Sequence, residues 1–329
     1  MKSACDFLLL IFGFNFVTPF ARGVTFYMDM ERGIRIAIAS GKGGTGKTTL
    51  SVNLAAWLRV RAGREVVLAD LDVEEPNSGL FLEGRLTDRR EVFRRIPRWN
   101  KDNCILSGEC AAVCMYNAIA FTGSSVMVFP ELCHGCYACS DLCPSGSLPM
   151  VEDRIGEITA YGVELEDGNE FMRVEGRLDI GREMATPMIK ETIGYTVELA
   201  GPERMILFDA PPGTSCPMME VAKHADLVLL VAEPTLFGRH DLSLAVETLR
   251  VLGKDLAVVI NKDRAGETII DDYCRRENVP IAGRIPHLTE AARHYSKGSL
   301  LFDKVPQVDR ALEEVAGFLE ERIFKTSPA

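Results

Sequence analysis

The sequence predicts an α/β fold in which a mostly parallel sheet, flanked by helices, is interrupted by a small α+β insertion. Short apolar strands recur along the chain, and each ends in Gly, Asp or Asn before a helical pattern, as in alternating α/β units. Between residues 98 and 150 this alternation stops, and seven of the ten cysteines fall between Cys104 and Cys143. The length of 329 residues, with 47% hydrophobic and 26% charged residues, is that of an ordinary globular protein and excludes collagen, coiled coils and disorder.

The chain divides into three predicted parts. Residues 1–30 include an apolar run from Phe7 to Val17, which is shorter than the roughly 20 residues of a membrane-spanning helix. We interpret this leader as an upstream start-site artefact or a disordered tail; a true export or anchoring segment is the alternative. Residues 31–97 and 151–329 form one α/β domain, and residues 98–150 form the insertion.

The net charge and the distribution of charged residues indicate which classes of partner the protein can bind. The net charge of −10 and the pI near 5.2 disfavour a nucleic-acid binder, because nonspecific affinity for the phosphate backbone comes from clustered Lys and Arg. The stretch Val308–Phe324 has apolar residues at helical spacing and a mainly acidic polar face, whereas a membrane-surface helix needs a basic one. We therefore expect a helix docked on the domain, a cytoplasmic protein, and neither a nucleic-acid nor a membrane partner.

The first predicted strand runs into a phosphate-binding loop. The apolar stretch Ile34–Ala39 leads into SGKGGTGKTT at Ser40–Thr49, and the helical pattern Leu50–Val60 follows. This order directs backbone N–H groups and a helix dipole at phosphates, and Lys47 adds a positive charge. We expect Thr48 to hold Mg²⁺ through its hydroxyl. The residues expected to bind ATP here are Gly41, Gly43, Gly44, Thr45, Gly46, Lys47, Thr48 and Thr49.

A second lysine in this loop points to a family. With Lys42 ahead of Lys47, the loop resembles the deviant phosphate loop of the MinD/ParA-like ATPases, a group that includes Mrp-type cluster carriers and the nitrogenase iron protein. The resemblance implies a Mg²⁺-dependent ATP hydrolase that dimerises on ATP, with Lys42 crossing to the nucleotide of the partner. The partner is either a second copy or a paralogous ATPase.

Two later strand ends extend the resemblance. The segment Asp70–Asn77, after a strand from Glu65 to Leu71, looks like the family's switch I, which implies that Asp72 orients the attacking water or the metal and that Asn77 responds to the nucleotide. The strand Arg204–Phe208 ends in a segment similar to switch II. There the resemblance implies that Asp209 supports Mg²⁺ and Gly213 senses the terminal phosphate. The residues expected to take part in catalysis are Lys42, Lys47, Asp72 and Asp209.

The resemblance also implies where the base binds. The sequence VVINK, from Val258 to Lys262, matches the base-recognition strand of the family, with the Asn261 amide expected to pair with adenine beside Lys262. A further loop that begins at Ile285 and includes Pro286 lies against the base in relatives.

The insertion contains a repeated cysteine pattern. Cys133, Cys136, Cys139 and Cys143, closed by Pro144, follow C-x₂-C-x₂-C-x₃-C-P, the bacterial ferredoxin signature. Shifted back by 29 residues, the same frame falls on Cys104, Ser107, Cys110 and Cys114. Zinc is the competing interpretation, but zinc sites use two separated ligand pairs. The pattern therefore favours iron–sulfur clusters.

In two-cluster ferredoxins the fourth cysteine of each run ligates the other cluster. By this resemblance, one 4Fe-4S cluster is bound by Cys133, Cys136, Cys139 and Cys114. The other set is Cys104, Cys110 and Cys143, with Ser107 in the fourth place. Because clusters prefer thiolate to hydroxyl oxygen, we expect a 3Fe-4S cluster or a 4Fe-4S cluster with one labile iron; ligation by Ser107 as an alkoxide is the alternative.

Other residues have no assigned chemistry. Cys216, just after the segment like switch II, is expected to be a buried inert thiol, and binding of a metal across the dimer interface is the alternative. His134 is expected to face solvent. The alternating stretches Ile155–Glu164 and Phe171–Arg177 predict a hairpin, and Met184–Leu199 predicts a helix.

Together these features predict an ATP-hydrolysing switch that carries clusters. We expect it to donate electrons or deliver clusters to a protein client, such as an anaerobic metalloenzyme or a cofactor-maturation protein. One alternative is a spatial organiser, as MinD and ParA relatives are. Another is a regulatory module whose clusters only sense redox state.

Overall fold

The structure, a computed structural model, describes residues 33–324; the predicted leader lies outside them. The strands of this part of the chain are β1 (Arg35–Ala39), β2 (Val66–Asp70), β3 (Arg85–Pro97), β4 (Ile119–Phe121), β5 (Val126–Val128), β6 (Met150–Glu164), β7 (Glu170–Leu178), β8 (Met205–Asp209), β9 (Leu227–Ala232), β10 (Asp255–Asp263) and β11 (Ile281–Pro286). The helices are α1 (Lys47–Val60), α2 (Glu109–Ala112), α3 (Ala138–Asp141), α4 (Ala185–Ala200), α5 (Cys216–His224), α6 (Leu236–Val251), α7 (Ile269–Glu277), α8 (Thr289–Tyr295) and α9 (Pro306–Phe324).

Nine strands form one sheet in the order β11-β10-β9-β1-β8-β2-β7-β6-β3. β6 is antiparallel to both neighbours, and the remaining pairs are parallel. Helices α4 to α7 cover one face of the sheet, and α1 and α9 cover the other. Because both faces are covered, strands such as β1 and β2 are continuous apolar runs rather than alternating ones. The predicted α/β class with a mostly parallel sheet is confirmed.

The predicted elements of the sheet are present with small shifts. The hairpin is β6 and β7, paired from Gly156 with Leu178 to Glu164 with Glu170. Helix α1 begins at Lys47, three residues before the predicted start, because left-handed Gly46 (φ 95°) caps it directly. Strand β3 was not predicted; its first seven residues are all exposed and most are charged, so it lacks the apolar alternation that marks a half-buried strand.

β3 and β6 form an arm that carries the insertion. Across the sheet, Asp70 of β2 lies beside Glu175 of β7, Glu175 lies beside Thr159 of β6, and Thr159 lies beside Arg89 of β3. The pairing of β3 with β6 continues beyond this level to Pro97 and Met150. At about 3.3 Å per residue, the arm extends roughly 25 Å beyond the level of Asp70. Since β3 runs parallel to the central strands, the insertion lies beyond their carboxyl ends.

The insertion is built from two similar backbones. α2 and α3 are offset by 29 residues, and so are the 3₁₀ turns Lys101–Asn103 and Pro130–Leu132 that precede them. Positive φ angles recur with the same offset, in the pairs Leu106 and Gly135, Gly108 and Tyr137, and Asn117 and Gly146. The 29-residue spacing of the cysteine pattern is therefore also a repeat of backbone geometry.

The C-terminal helix α9 packs on the α1 face of the sheet. Val308, Leu312, Val315 and Leu319 are at most 2% exposed, in one core cluster with α1 and β11. The expected docked helix is confirmed for the described side chains. Between residues 33 and 324, no helix has both the length and the apolar character needed to cross a membrane.

Candidate functional site

The phosphate-binding loop is an open cradle at the carboxyl end of β1. Gly44 and Gly46 have positive φ angles of 76° and 95°, a conformation that favours glycine. A Cβ on Gly46 would lie 2.2 Å from the Asn261 side-chain nitrogen, whereas one on Gly43 or Gly44 would meet nothing within 4 Å. One side of the loop is thus fixed against β10, and the other side leaves room for phosphates.

The remaining predicted loop residues are held by the surrounding helices. A Cβ on Gly41 would lie 2.3 Å from the Asp241 carbonyl oxygen of α6, so only glycine fits there. The Thr49 carbonyl accepts a hydrogen bond from Asn53 at 2.8 Å within α1. Thr45 is 2% exposed, and its hydroxyl has no hydrogen-bond partner among the described residues.

Lys47 lies among three carboxylates. Its side chain is buried, which lowers its pKa, and the charges of Asp209, Asp72 and Asp70 oppose this shift. Burial, together with the charge of Asp70, raises the pKa of Asp72 to about 6 and that of Asp209 to about 7. A buried lysine beside strand-end carboxylates is a charge arrangement suited to a phosphate and its divalent cation.

The donor set around Asp209 fits Mg²⁺. Ser51 donates to one carboxylate oxygen of Asp209 at 3.0 Å, and the nearby Thr48 hydroxyl opposes the rise in the pKa of this carboxyl. The second oxygen, Oδ2, is buried and has no partner within the described part of the chain. A hydroxyl in the first turn of α1 and a free carboxylate oxygen at the end of β8 are hard oxygen ligands of the kind that Mg²⁺ prefers.

The segment predicted to be switch I is held by Asp70, a residue that was not among the predicted site residues. Asp70 is 1% exposed and accepts backbone N–H bonds from Asn77 at 2.9 Å and Ser78 at 2.8 Å. Burial raises its pKa, and these hydrogen bonds oppose the shift. Asp72 and Asn77, the predicted switch residues, are half-buried on the loop that Asp70 closes. The signal was in the motif, where Asp70 is the last residue of β2.

Glu233 after β9 holds two of the predicted lysines. Its carboxylate lies 3.6 Å from the Lys42 ammonium and 2.5 Å from that of Lys262. The Lys42 side chain is 34% exposed and Glu233 is 16% exposed. In this conformation Lys42 therefore pairs within its own chain rather than reaching outward, and no local pattern in the sequence marks Glu233 as its partner.

The residues expected to bind the base and the terminal phosphate are engaged within the protein. Asn261 donates to the Thr45 carbonyl at 2.7 Å and accepts from the Lys262 backbone N–H at 2.9 Å. The Gly213 N–H donates to the Ser40 carbonyl at 3.1 Å. The Asn261 amide thus braces the phosphate loop, and its expected pairing with adenine stays a prediction. Strand β11 ends at Pro286, so the loop expected to begin at Ile285 starts after Pro286.

The cysteines of the insertion line two small cavities. The first, here called the four-cysteine cavity, is lined by Cys114, Cys133, Cys136 and Cys139, with Tyr116, Ala118, His134 and Tyr137. The second, here called the three-cysteine cavity, is lined by Cys104, Cys110, Cys143 and Ser107, with Trp99, Ser145 and Ser147. The structure thus brings together the two ligand sets that the ferredoxin pattern predicts, including the exchange of Cys114 and Cys143.

Each cavity surrounds a space, and the sulfurs do not converge on a point. No group of three His, Cys, Asp or Glu side chains among the described residues is placed to hold a single metal ion. Backbone N–H groups of Ala118, Gly135 and Ser147 lie 3.3 to 3.4 Å from the sulfurs of Cys114, Cys133 and Cys143 respectively. A multi-iron cluster takes each thiolate on a different iron and accepts such N–H···S bonds, so this donor set fits a cluster better than a lone ion.

Two expectations about single residues have different outcomes. Cys216 is exposed at the first turn of α5, so the expected buried thiol is wrong. The strand β8 ends at Asp209 and the chain crosses the surface before α5 begins, which leaves the thiol in solvent. His134 is exposed as expected, and its ring stacks on Tyr116 at 3.7 Å.

Arg94, which was not among the predicted site residues, joins the insertion to the sheet. Its guanidinium lies 2.9 Å from Asp153 and donates to the carbonyls of Pro130 at 2.9 Å and Cys133 at 3.2 Å. Arg182 also pairs with Asp153, at 2.8 Å. These partners are 29 to 59 residues away in sequence, so no local pattern predicts the cluster.

Arg173 links the hairpin to Ser78, the residue directly after the predicted switch I segment. It is buried, pairs with Glu175 at 2.7 Å and donates to the Ser78 hydroxyl at 3.3 Å. Its guanidinium carbon also lies 4.3 Å from the centre of the Tyr161 ring on β6. The strand that returns from the insertion therefore contacts the switch through one side chain.

Known proteins share this architecture. The profile of the CobQ/CobB/MinD/ParA nucleotide-binding domain matches residues 36–302. An uncharacterised protein of Methanocaldococcus jannaschii is 28% identical over 290 residues, which cover 88% of this chain and 98% of that protein. The chromosome-partitioning ATPase Soj of Thermus thermophilus is 55% identical over 47 residues, 14% of this chain and 18% of Soj.

Two solved structures have a similar fold. The MinD cell division protein of Aquifex aeolicus aligns with a TM-score of 0.54 and 18% identity, covering 90% of this chain and 99% of its own. The septum site-determining protein MinD of Pyrococcus horikoshii, complexed with Mg-ADP, has the same TM-score and identity and covers 90% of this chain and 100% of its own. At this identity the likeness describes the fold alone.

Proposed function

Because the chain belongs to the CobQ/CobB/MinD/ParA family of nucleotide-binding proteins, we propose that it is a dimerising ATPase switch that carries iron–sulfur clusters. ATP binding and hydrolysis are coupled in it to electron transfer or cluster delivery to a protein client. The observation that supports this most directly is that the two thiol cavities and the phosphate loop lie beyond the same edge of one sheet.

The nucleotide half of the proposal rests on the phosphate loop. Lys47 and the N–H groups of the loop bind the phosphates, and Thr48 with Asp209 holds Mg²⁺. Asp72 orients the attacking water. Lys42 leaves Glu233 to reach the nucleotide of the partner, and closure of the dimer excludes water from the developing charge. MinD of Pyrococcus horikoshii was crystallised with Mg-ADP on this fold, which is consistent with the same ligand here.

The cluster half rests on the insertion, which we propose is a ferredoxin-like domain spanning residues 98–150. Cys114, Cys133, Cys136 and Cys139 hold a 4Fe-4S cluster; Cys104, Cys110 and Cys143 hold a 3Fe-4S cluster or a labile 4Fe-4S cluster beside Ser107. When bound, the clusters supply one-electron transfer or are themselves the cargo. Zinc is disfavoured because zinc sites use two separated ligand pairs, whereas these cysteines follow the ferredoxin spacing.

The surface of the insertion supports a protein client. Of eighteen large hydrophobic side chains exposed in the described part of the chain, nine lie between residues 98 and 150. They are Ile105, Leu106, Met115, Tyr116, Met127, Phe129, Leu132, Tyr137 and Leu142. Apolar surface concentrated in this way is typical of an interaction site, and Tyr116 and Tyr137 also line the four-cysteine cavity.

Two structural routes can transmit the nucleotide state. Arg173 connects β6 and β7 to Ser78, directly after the switch I segment. Arg94 and Asp153 connect the Cys133 loop to Arg182, ahead of α4, and α4 packs on the switch II helix α5. ATP and ADP act on the clusters only if they favour different arrangements of these contacts.

The test measures ATP hydrolysis and cluster potentials on the same anaerobically purified full-length protein. We expect about seven or eight iron atoms per chain. ATP should change the equilibrium constant for reduction of the clusters by about fivefold or more, and this change should be absent in Lys47→Ala. Iron content with potentials that do not respond to nucleotide contradicts the coupling. ATP hydrolysis without iron or sulfide contradicts the cluster proposal and leaves the spatial organiser of the MinD and ParA type as the better function.

A further inference from the structure

The two cavities can be compared with each other, because they have similar backbone conformations and different side chains. Cys143 and Cys114 occupy equivalent positions 29 residues apart, and each accepts a backbone N–H bond from the residue four places later. That residue is Ser147 in the three-cysteine cavity and Ala118 in the four-cysteine cavity. Two places after each cysteine lie Ser145 and Tyr116 respectively.

In the three-cysteine cavity, hydroxyl groups surround the Cys143 sulfur. Ser147 Oγ lies 3.3 Å from it and Ser145 Oγ lies 3.7 Å from it. The two hydroxyls are 2.9 Å apart, so they form one network around the sulfur. A cluster-bound thiolate has no proton to donate, so each O–H···S contact takes its proton from a serine. The two serine protons are shared among the two contacts to the sulfur and the contact between the hydroxyls.

A third side-chain donor lies in the same cavity. The indole Nε1 of Trp99 is buried and has no hydrogen-bond partner by distance and angle among the described residues. Trp99 lines the cavity together with Cys104. It thus brings an N–H donor without a partner within residues 33–324 to the lining of this cavity.

The four-cysteine cavity lacks this network. In the described part of the chain, its sulfurs accept hydrogen bonds from the backbone N–H groups of Ala118 and Gly135 and from no side-chain hydroxyl or indole. Its other lining residues are mainly aromatic or apolar, among them Tyr116, Tyr137 and Ile119.

Hydrogen bonds to ligating sulfurs raise the reduction potential of a cluster, because they stabilise the additional negative charge of the reduced state. We propose that Ser145 and Ser147 make the three-cysteine cavity the higher-potential site of the two. This inference rests on the proposed cluster sites and ranks their reduction potentials. The three-cysteine cavity is then the electron-accepting end of the insertion.

The chain offers reciprocal variants that exchange the equivalent residues. Ser147→Ala gives the three-cysteine cavity the alanine of its counterpart, and Ala118→Ser gives the four-cysteine cavity the serine. Potentials are measured by EPR-monitored titration with dithionite as reductant, anaerobically, on the iron-loaded full-length protein. We expect Ser147→Ala to lower the higher potential by about tenfold in the reduction equilibrium, or about 59 mV for one electron, and Ala118→Ser to raise the lower potential.

Two further variants serve as controls for the change in potential and for the assignment of the EPR signals. Ser147→Thr retains a hydroxyl and should restore the potential that alanine lowers. Ser107→Cys completes the thiolate set and changes the iron content and EPR spectrum of the three-cysteine site alone, which assigns each signal to its cavity.

The inference is overturned if Ser147→Ala leaves both potentials unchanged, or if the signal assigned through Ser107→Cys belongs to the lower potential. Either outcome leaves the cluster proposal standing, since iron is still bound. Absence of iron and sulfide from the wild-type protein overturns both, and the iron analysis is therefore carried out first.

Discussion

The nucleotide-binding part and the insertion differ in what holds them together. The sheet and its helices enclose two large apolar clusters, in which strands such as β1 and β2 are almost fully buried. In the insertion only seven apolar or cysteine side chains are buried, namely Cys110, Ala118, Ile119, Val126, Cys133, Cys139 and Leu148. A unit of about 50 residues with so small a core rarely folds unaided. The comparison teaches that the nucleotide-binding part has a core of its own, whereas under the proposed function the insertion depends on its clusters to fold.

The largest expected effect is the response to loss of iron. Chelation under anaerobic, reducing conditions should unfold residues 98–150 and leave the nucleotide-binding part folded, because under the proposed function only the insertion is held by metal–thiolate bonds. Hydrogen exchange measured peptide by peptide checks this. Protection in peptides of α1 and β8 is the control, and an insertion that stays protected after the iron has gone would break the comparison.

A second prediction uses the buried carboxylates, which only the nucleotide-binding part contains. The pKa of Asp209 is raised to about 7 and that of Asp72 to about 6 from an ordinary value of 3.8. Between about pH 4 and pH 7 the folded state then binds more protons than the unfolded state, so the free energy of unfolding should fall as pH rises through this window.

Urea unfolding of the nucleotide-free protein at pH 5 and pH 8 measures this pH effect, with a change of roughly 2 to 4 kcal/mol expected from shifts of this size. Asp209→Asn should flatten the dependence. A free energy of unfolding that rises with pH would contradict the assigned direction of both shifts.

A third prediction weakens the contact between the insertion and the sheet without removing iron. Arg94→Met removes the ion pair with Asp153 and two hydrogen bonds to the Cys133 loop. We expect the loop to lose about 2 kcal/mol of local stability, less than for a fully buried pair because Arg182 still pairs with Asp153. Hydrogen exchange of residues 128–136 is the measurement.

The matched control for Arg94 is its neighbour Arg95. That side chain is 49% exposed and pairs with Glu152 at 2.8 Å, so Arg95→Met should change exchange of the loop very little. Equal effects from the two variants would show that Arg94 does not anchor the insertion.

The smallest predicted effect concerns the resting position of Lys42. Glu233→Gln weakens the ion pairs with Lys42 and Lys262, partly exposed contacts worth about 1 kcal/mol or less. The fraction of ATP-dependent dimer, measured by sedimentation velocity, should rise up to about fivefold. Glu267→Gln, which removes an exposed pair with Arg264, is the control, and weaker dimerisation of Glu233→Gln would argue against release of Lys42.

Much of the fold could be predicted from the sequence, because its signals are local. Buried parallel strands are continuous apolar runs, as in β1 and β2, and the Gly-rich loop between β1 and α1 has its own motif. β3 was missed because its arginines and acidic residues are bound by β6, α4 and the insertion, contacts that no local period reveals. Cys216 was misplaced because exposure depends on how the chain leaves β8.

The candidate site likewise has some features that the sequence predicts and others that only the tertiary structure shows. The sequence by itself determined the phosphate loop, the strand-end carboxylates and the 29-residue cysteine frame, since each depends on residues close together in the chain. Only the tertiary structure decided that Glu233 holds Lys42, that Asp70 closes switch I and that Arg94 fixes the Cys133 loop. It also decided which hydroxyls surround Cys143. Ion pairs and hydrogen bonds between distant elements follow from the packing of the sheet and its arm, and that packing has no periodic signature in the sequence.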